Sequence, residues 1–168
     1  MAITLVVEDG TGLTNANTYI SLADADTYFE SHVYSSGWDA ATDANKNIAL
    51  AMATRLLDAY FIFEGRKIGD SQALEFPRFD IRDRSGFLIV STTIPQALKD
   101  AVAEFAQFMI ASDRTADASG QGFKLLKAGS LTMQPDPGDK PPVIPDVVKQ
   151  LINFLGRPAG SMSVPSTR

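Results

Sequence analysis

Few residues in this sequence are of a type and spacing that could do chemistry. Asp24, Asp26 and Glu30 fall within one short segment, which suggests a cation site or an acid–base pair. The simpler reading is stronger: acids in a first helical turn interact well with the helix dipole, and the others face water. His32 is the only histidine, and no second ligand stands near it to make a metal site. Gly10-Thr11-Gly12 hints at a phosphate loop, but neither a third glycine nor Gly-Lys-Ser/Thr follows. Asp100 and Glu104, four apart on one helix face, are the spacing for a cation, and equally that of acids facing water or a basic neighbour. Cysteine is absent, which removes disulfides, thiolate metal sites and thiol nucleophiles and makes a reducing compartment the simplest setting. The chain therefore reads as a non-enzyme, with no cofactor and no metal.

The elements that would position these groups come from hydrophobic periodicity. A central helix is expected over about 43–62, capped by Thr42 or Asp39. Ala49, Met52, Ala53, Leu56, Tyr60 and Phe63 recur on one of its faces. Its natural partner runs from Ile94-Pro95 to about 112, with Pro95 at the first helical position, Thr93 or Thr92 as cap, and a stripe of Leu98, Ala101, Val102, Phe105, Ala106 and Met109. Ser21 caps a shorter helix bearing Leu22, Ala25 and Phe29, and Pro145 opens a last one reaching Leu155. Trp38 lies in a linker, either as a packing anchor or as a stacking platform for a base. Strands are expected at Ile3–Val7 and Phe87–Val90, with a hairpin around Lys127-Ala128-Gly129-Ser130. Arg55 and Asp58 have the spacing of a helix-surface pair. The fold class is thus mainly α: a small bundle of about four helices with a short β-hairpin and long loops. The single domain spans 1–155, and 156–168 is an extended tail with the composition of a disordered terminus.

With 45% hydrophobic and 21% charged residues the composition is that of a soluble globular protein. The opening Ile3–Val7 run is too short for a signal-peptide core, and no stretch approaches the ~18 apolar residues of a membrane helix. Net charge is -5 and unevenly spread: residues 1–112 hold 8 basic and 15 acidic groups, residues 113–168 hold 7 and 5. No basic stripe of the kind that neutralises phosphates stands out, and an acidic surface facing DNA would repel it.

An ordered set of motifs carries a resemblance. Val7-Glu8-Asp9-Gly10-Thr11-Gly12 is followed by Ala16-Asn17-Thr18-Tyr19-Ile20-Ser21 with Ala23-Asp24, then Trp38 and Ala53-Thr54-Arg55-Leu56-Leu57-Asp58. Gly65-Arg66-Lys67, Gln72-Ala73-Leu74, Phe76-Pro77-Arg78 and Ile94-Pro95 complete it. Over roughly residues 4–112 the chain resembles a phage and prophage family labelled DnaT-like single-stranded DNA-binding protein. In size and helical organisation it is also similar to head-tail connector, or adaptor, proteins of tailed bacteriophages.

The second likeness implies a structural virion protein: a ring, commonly of twelve copies, located in the neck and assembled in the host bacterial cytoplasm. Its partners would be further copies of itself, the portal protein, a tail-side neck or tail-terminator protein, and packaged double-stranded DNA passing through an acid-lined channel. On that reading Arg78, Phe79, Arg82 and Arg84 in the mixed-charge loop, and Arg157, Pro158, Met162, Val164 and Arg168 in the tail, form the interfaces. This is the leading expectation. The alternative, implied by the label, is a single-stranded DNA-binding replication accessory with Trp38, Tyr34 or Phe79 stacking on bases.

Overall fold

Side-chain caps fix where two helices begin. Ser21 is extended and its hydroxyl accepts from the Asp24 amide at 3.1 Å, starting α1 (Leu22–Glu30). Thr42 does the same for the Asn45 amide at the head of α3 (Asp43–Tyr60), and a one-turn α2 (Ser36–Asp39) lies between them. The computed structural model describes residues 3–116 and 142–160, together with the backbone of 126–128 and 131–133. Beyond α3 come β1 (Phe61–Phe63), β2 (Arg66–Lys67), β3 (Arg78–Phe79), α4 (Gln96–Ala111), β4 (Leu126–Ala128), β5 (Leu131–Met133), α5 (Asp146–Ile152) and β6 (Gly156–Pro158). The protein is mainly helical.

Helix α3 lies along α4, and α5 closes over α4 from the other side. Leu98, Ala101, Val102, Phe105 and Ala106 of α4 are buried, facing Ala49, Leu50, Ala53 and Leu57 of α3 and Val148 and Ile152 of α5. Each large apolar side chain so buried contributes about 1.5–3 kcal/mol. The alanines let the backbones approach. The buried face of α3 is rotated from the expected one: Lys46, Leu50, Thr54 and Leu57 replace Met52, Leu56 and Tyr60. Lys46 can be buried on this face because its ammonium lies over the Trp38 ring at 5.1 Å and reaches Asp26 at 2.8 Å.

Three two-stranded antiparallel pairs finish the fold: β1 with β6, β2 with β3, and β4 with β5. The last is the expected hairpin, in register Leu126↔Met133 to Ala128↔Leu131. Phe61-Ile62-Phe63 leaves the helical path because aromatic and β-branched residues favour extended chain, and β6 pairs with it from Phe61↔Pro158 to Phe63↔Gly156. The stretch from 156, expected as the start of an extended tail, thus begins as a strand.

Other expectations are corrected. Ile3–Val7 makes no strand, only an isolated parallel bridge from Val7 to Thr18, and Phe87–Val90 only the bridge Arg82↔Leu88. Pro95 and Pro145 stand one position before their helices, at φ -57° and -58° with extended ψ, and neither helix has a side-chain cap. The Pro95 carbonyl already accepts from the Leu98 and Lys99 amides, so Thr92 and Thr93 are left outside the helix.

Candidate nucleic-acid interface

Most of the groups with chemical potential turn out to be used inside the fold. Asp24 accepts from Ser21 in the α1 cap, and Asp26 accepts from the Trp38 indole at 2.7 Å and from Lys46. Glu30 is exposed. The Gly10–Gly12 loop does form a nest of amides, but Glu8 fills it. One Glu8 oxygen accepts from Gly10 and Gly12 at 3.0 and 2.9 Å, the other from Leu13 at 2.9 Å. A phosphate has no room where that carboxylate sits. His32 and the Tyr28 hydroxyl both meet Glu104 Oε1, at 3.0 and 2.8 Å, which ties the end of α1 to α4. Burial, with Glu104 beside it, pushes the Tyr28 phenol well up. Asp100 accepts from Gln96, and no acid or histidine cluster able to hold a metal occurs among the described residues.

Asp58 does not pair with Arg55. It turns inward, where its two oxygens accept from the Tyr19 hydroxyl at 2.8 and 3.0 Å and one also accepts from the Glu75 amide at 3.0 Å. Tyr19 in turn accepts from the Phe76 amide at 3.0 Å, so this network holds the 74–77 loop against α3. Burial raises the Asp58 carboxyl to about 6, against the lowering effect of those hydrogen bonds.

Of the aromatic candidates for base stacking, Trp38 is only 1% exposed. Phe29 stacks on it at 4.7 Å and Lys46 lies over its ring, so it is the packing anchor. Phe79 is half-buried with the Arg66 guanidinium over its ring at 4.7 Å. Tyr34 is 79% exposed, in an acidic neighbourhood of sequence with Glu30 and Asp39.

The loop arginines separate into two kinds. Arg78 is consumed: its guanidinium donates to the carbonyls of Phe63, Glu64, Gly65 and Glu75 and to the Glu75 carboxylate. Arg82 and Arg84 are exposed, donate only to backbone carbonyls (Gly86, and Gln150 with Leu151), and form no ion pair among the described residues. In the tail, Arg157 lies opposite Ile62 and Pro158 opposite Phe61. Met162, Val164 and Arg168 lie outside the described residues.

From Asp83 to Phe87 the chain makes a rigid turn. Asp83 donates to the Phe87 carbonyl at 2.8 Å, and its carboxylate accepts from the Ser85 and Phe87 amides, both at 2.9 Å. Gly86 supplies the left-handed residue at φ +87°. Buried Ile81 accepts from the Ile89 amide and anchors the base. The turn presents Phe87 at 73% exposure, with Leu88 and Val90 also exposed. Arg82 holds the Gly86 carbonyl next to Phe87, while Arg84 lies over the Phe154 ring at 5.2 Å; an exposed aromatic face in a turn that bears two such arginines can stack a base and neutralise phosphate. Phe87 was missed in the sequence because it was read only as the start of a short strand, Phe87–Val90; Asp83-Arg84-Ser85-Gly86 was the turn signal.

One protein-family model, described as "Putative DnaT-like ssDNA binding protein", matches residues 3–168. The chain belongs to this family. That membership overturns the head-to-tail adaptor expectation, with its twelve-copy ring, portal and tail-terminator partners and double-stranded DNA channel. Membership supports the single-strand alternative, and the mixed-charge loop, taken for a subunit interface, has a physical reading that fits it. The loop's charges cancel in sequence, but Glu75 is paired with Lys67 and Arg78 and Asp80 with Arg66, leaving Arg82 and Arg84 exposed without an ion pair among the described residues. No curated protein and no solved structure matches the chain. No helix among the described residues is long and apolar enough to cross a membrane.

Proposed function

We propose that the protein binds single-stranded DNA, as a non-catalytic accessory, through the turn from Arg82 to Val90. The observation that carries this reading is the rigidly held, solvent-facing Phe87 in a turn that also bears Arg82 and Arg84, neither of them ion-paired among the described residues, in a chain of this family. A single strand offers unstacked bases to Phe87, whereas a duplex keeps its bases stacked and offers mainly phosphate. With a net charge of -5, the rest of the surface repels a phosphate backbone, which disfavours the denser charge of the duplex. Contact with few phosphates follows.

Fluorescence anisotropy with a labelled single strand of about 20 nucleotides, and with its duplex, tests this. The single strand binds more tightly. Two phosphate contacts give a slope of about -1.4 in log affinity against log salt, or roughly a sevenfold loss between ~50 and ~200 mM. Absence of single-strand binding at low salt, or equal affinity for the duplex, refutes the proposal.

A further inference from the structure

A cleft of about 460 Å³ lies along the outer face of α3, within the range of about 300–1,000 Å³ common for small-ligand sites. Ile3, Ile48, Met52 and Leu74 supply apolar walls, and three polar residues line it: Asn17, Arg55 and Asp58. Their states differ. Asn17 is spent, accepting from the Val6 amide at 2.8 Å and donating to the Thr4 carbonyl at 3.0 Å. Asp58 is held by Tyr19 and Glu75 but keeps lone pairs. Arg55 is exposed and has neither a hydrogen bond nor an ion pair among the described residues. A fitting occupant therefore has an apolar, polarisable body and an anionic group at one end.

We infer that this cleft takes one unstacked base of a bound single strand, with Arg55 on the adjoining phosphate. Met52 offers a thioether to the base ring, and the aliphatic walls exclude water from its faces. The Arg55 fork matches phosphate geometry and remains charged at any working pH. The inference rests on the single-strand reading and adds a second point of contact to the Phe87 turn.

Two substitutions at exposed positions leave the core intact. Arg55→Ala removes the phosphate partner, and Ala73→Trp fills the cleft, since Ala73 is a lining residue whose backbone amide alone holds the Leu13 carbonyl. Methyl NMR of the wild type with deoxynucleoside monophosphates is expected to shift Met52 and Ile48, while inorganic phosphate alone leaves them in place. Anisotropy is expected to show at least a fivefold loss of oligonucleotide affinity in each variant. Unmoved methyls, or full affinity in both variants while Phe87→Ala loses it, overturn the cleft inference and leave the single-strand reading standing. Failure of the wild type to bind any oligonucleotide overturns the single-strand reading, and this inference with it. A wild-type dimer that Ala73→Trp converts to monomer assigns the cleft to a second copy of the chain and also overturns it.

Discussion

Replacing Asp58 by asparagine separates the charge of a buried carboxyl from its hydrogen bonds. Asp58 sits against Tyr19 and the 74–77 loop, with Glu75 raising its pKa and Lys67 lowering it, and burial carries it from the ordinary 3.8 to about 6. Between those values the folded protein keeps a proton that the unfolded chain has released. Stability from this group is therefore fully present below about pH 4, declines as pH rises, and is gone above about 6. A shift of that size corresponds to about 3 kcal/mol. Asparagine does not titrate, and its single carbonyl oxygen leaves one of the two donors, Tyr19 or Glu75, poorly served, at a pH-independent cost of about 1–3 kcal/mol. The variant is thus expected to be less stable than wild type at pH 4 and to gain about 3 kcal/mol on it by pH 7, closing or reversing the gap. Urea unfolding followed by fluorescence of Trp38, the only tryptophan and fully buried, reads this directly. A difference that is constant with pH, or that widens in favour of wild type as pH rises, refutes the reasoning.

Other substitutions test the loops that carry the candidate sites. Gly10 has φ +98°, and a Cβ there would lie 1.8 Å from the Thr92 carbonyl oxygen, so Gly10→Ala should lower the unfolding free energy by more than about 2 kcal/mol. Thermal unfolding checks it, and a loss below about 0.5 kcal/mol contradicts the close approach of the two loops. Arg78→Lys keeps the charge but not the fork that serves the Phe63, Glu64, Gly65 and Glu75 carbonyls. The same assay should show a loss of about 1–3 kcal/mol, and a neutral result would make Arg78 a surface residue.

The helical part of the fold was readable in the sequence because capping and periodicity are local. Ser21 and Thr42 began helices as expected, and the α4 stripe of Leu98, Ala101, Val102, Phe105 and Ala106 is buried. The rotation of α3 was not readable, since burying Lys46 depends on its reaching Asp26 across 20 positions. The pairing of β1 with β6 joins residues almost a hundred apart, and no local pattern specifies such a partner. At the candidate interface the arginines were recognised by composition alone. Which are consumed and which are offered depends on carbonyls that only the folded loop brings to Arg78. Phe87 stayed hidden for a related reason: an apolar run reads as a strand unless the turn holding it is recognised first.

Phe87 is the side chain expected to contact a bound single strand. The most direct measurement is the affinity of Phe87→Ala for the single-stranded oligonucleotide beside that of wild type, with the unfolding midpoint of both. Phe87 is exposed, so stability should change by no more than about 0.5 kcal/mol. Loss of one stacked base costs about 1–3 kcal/mol, so affinity should fall by about five- to a hundredfold. Equal affinity in a variant that folds as wild type would contradict the account.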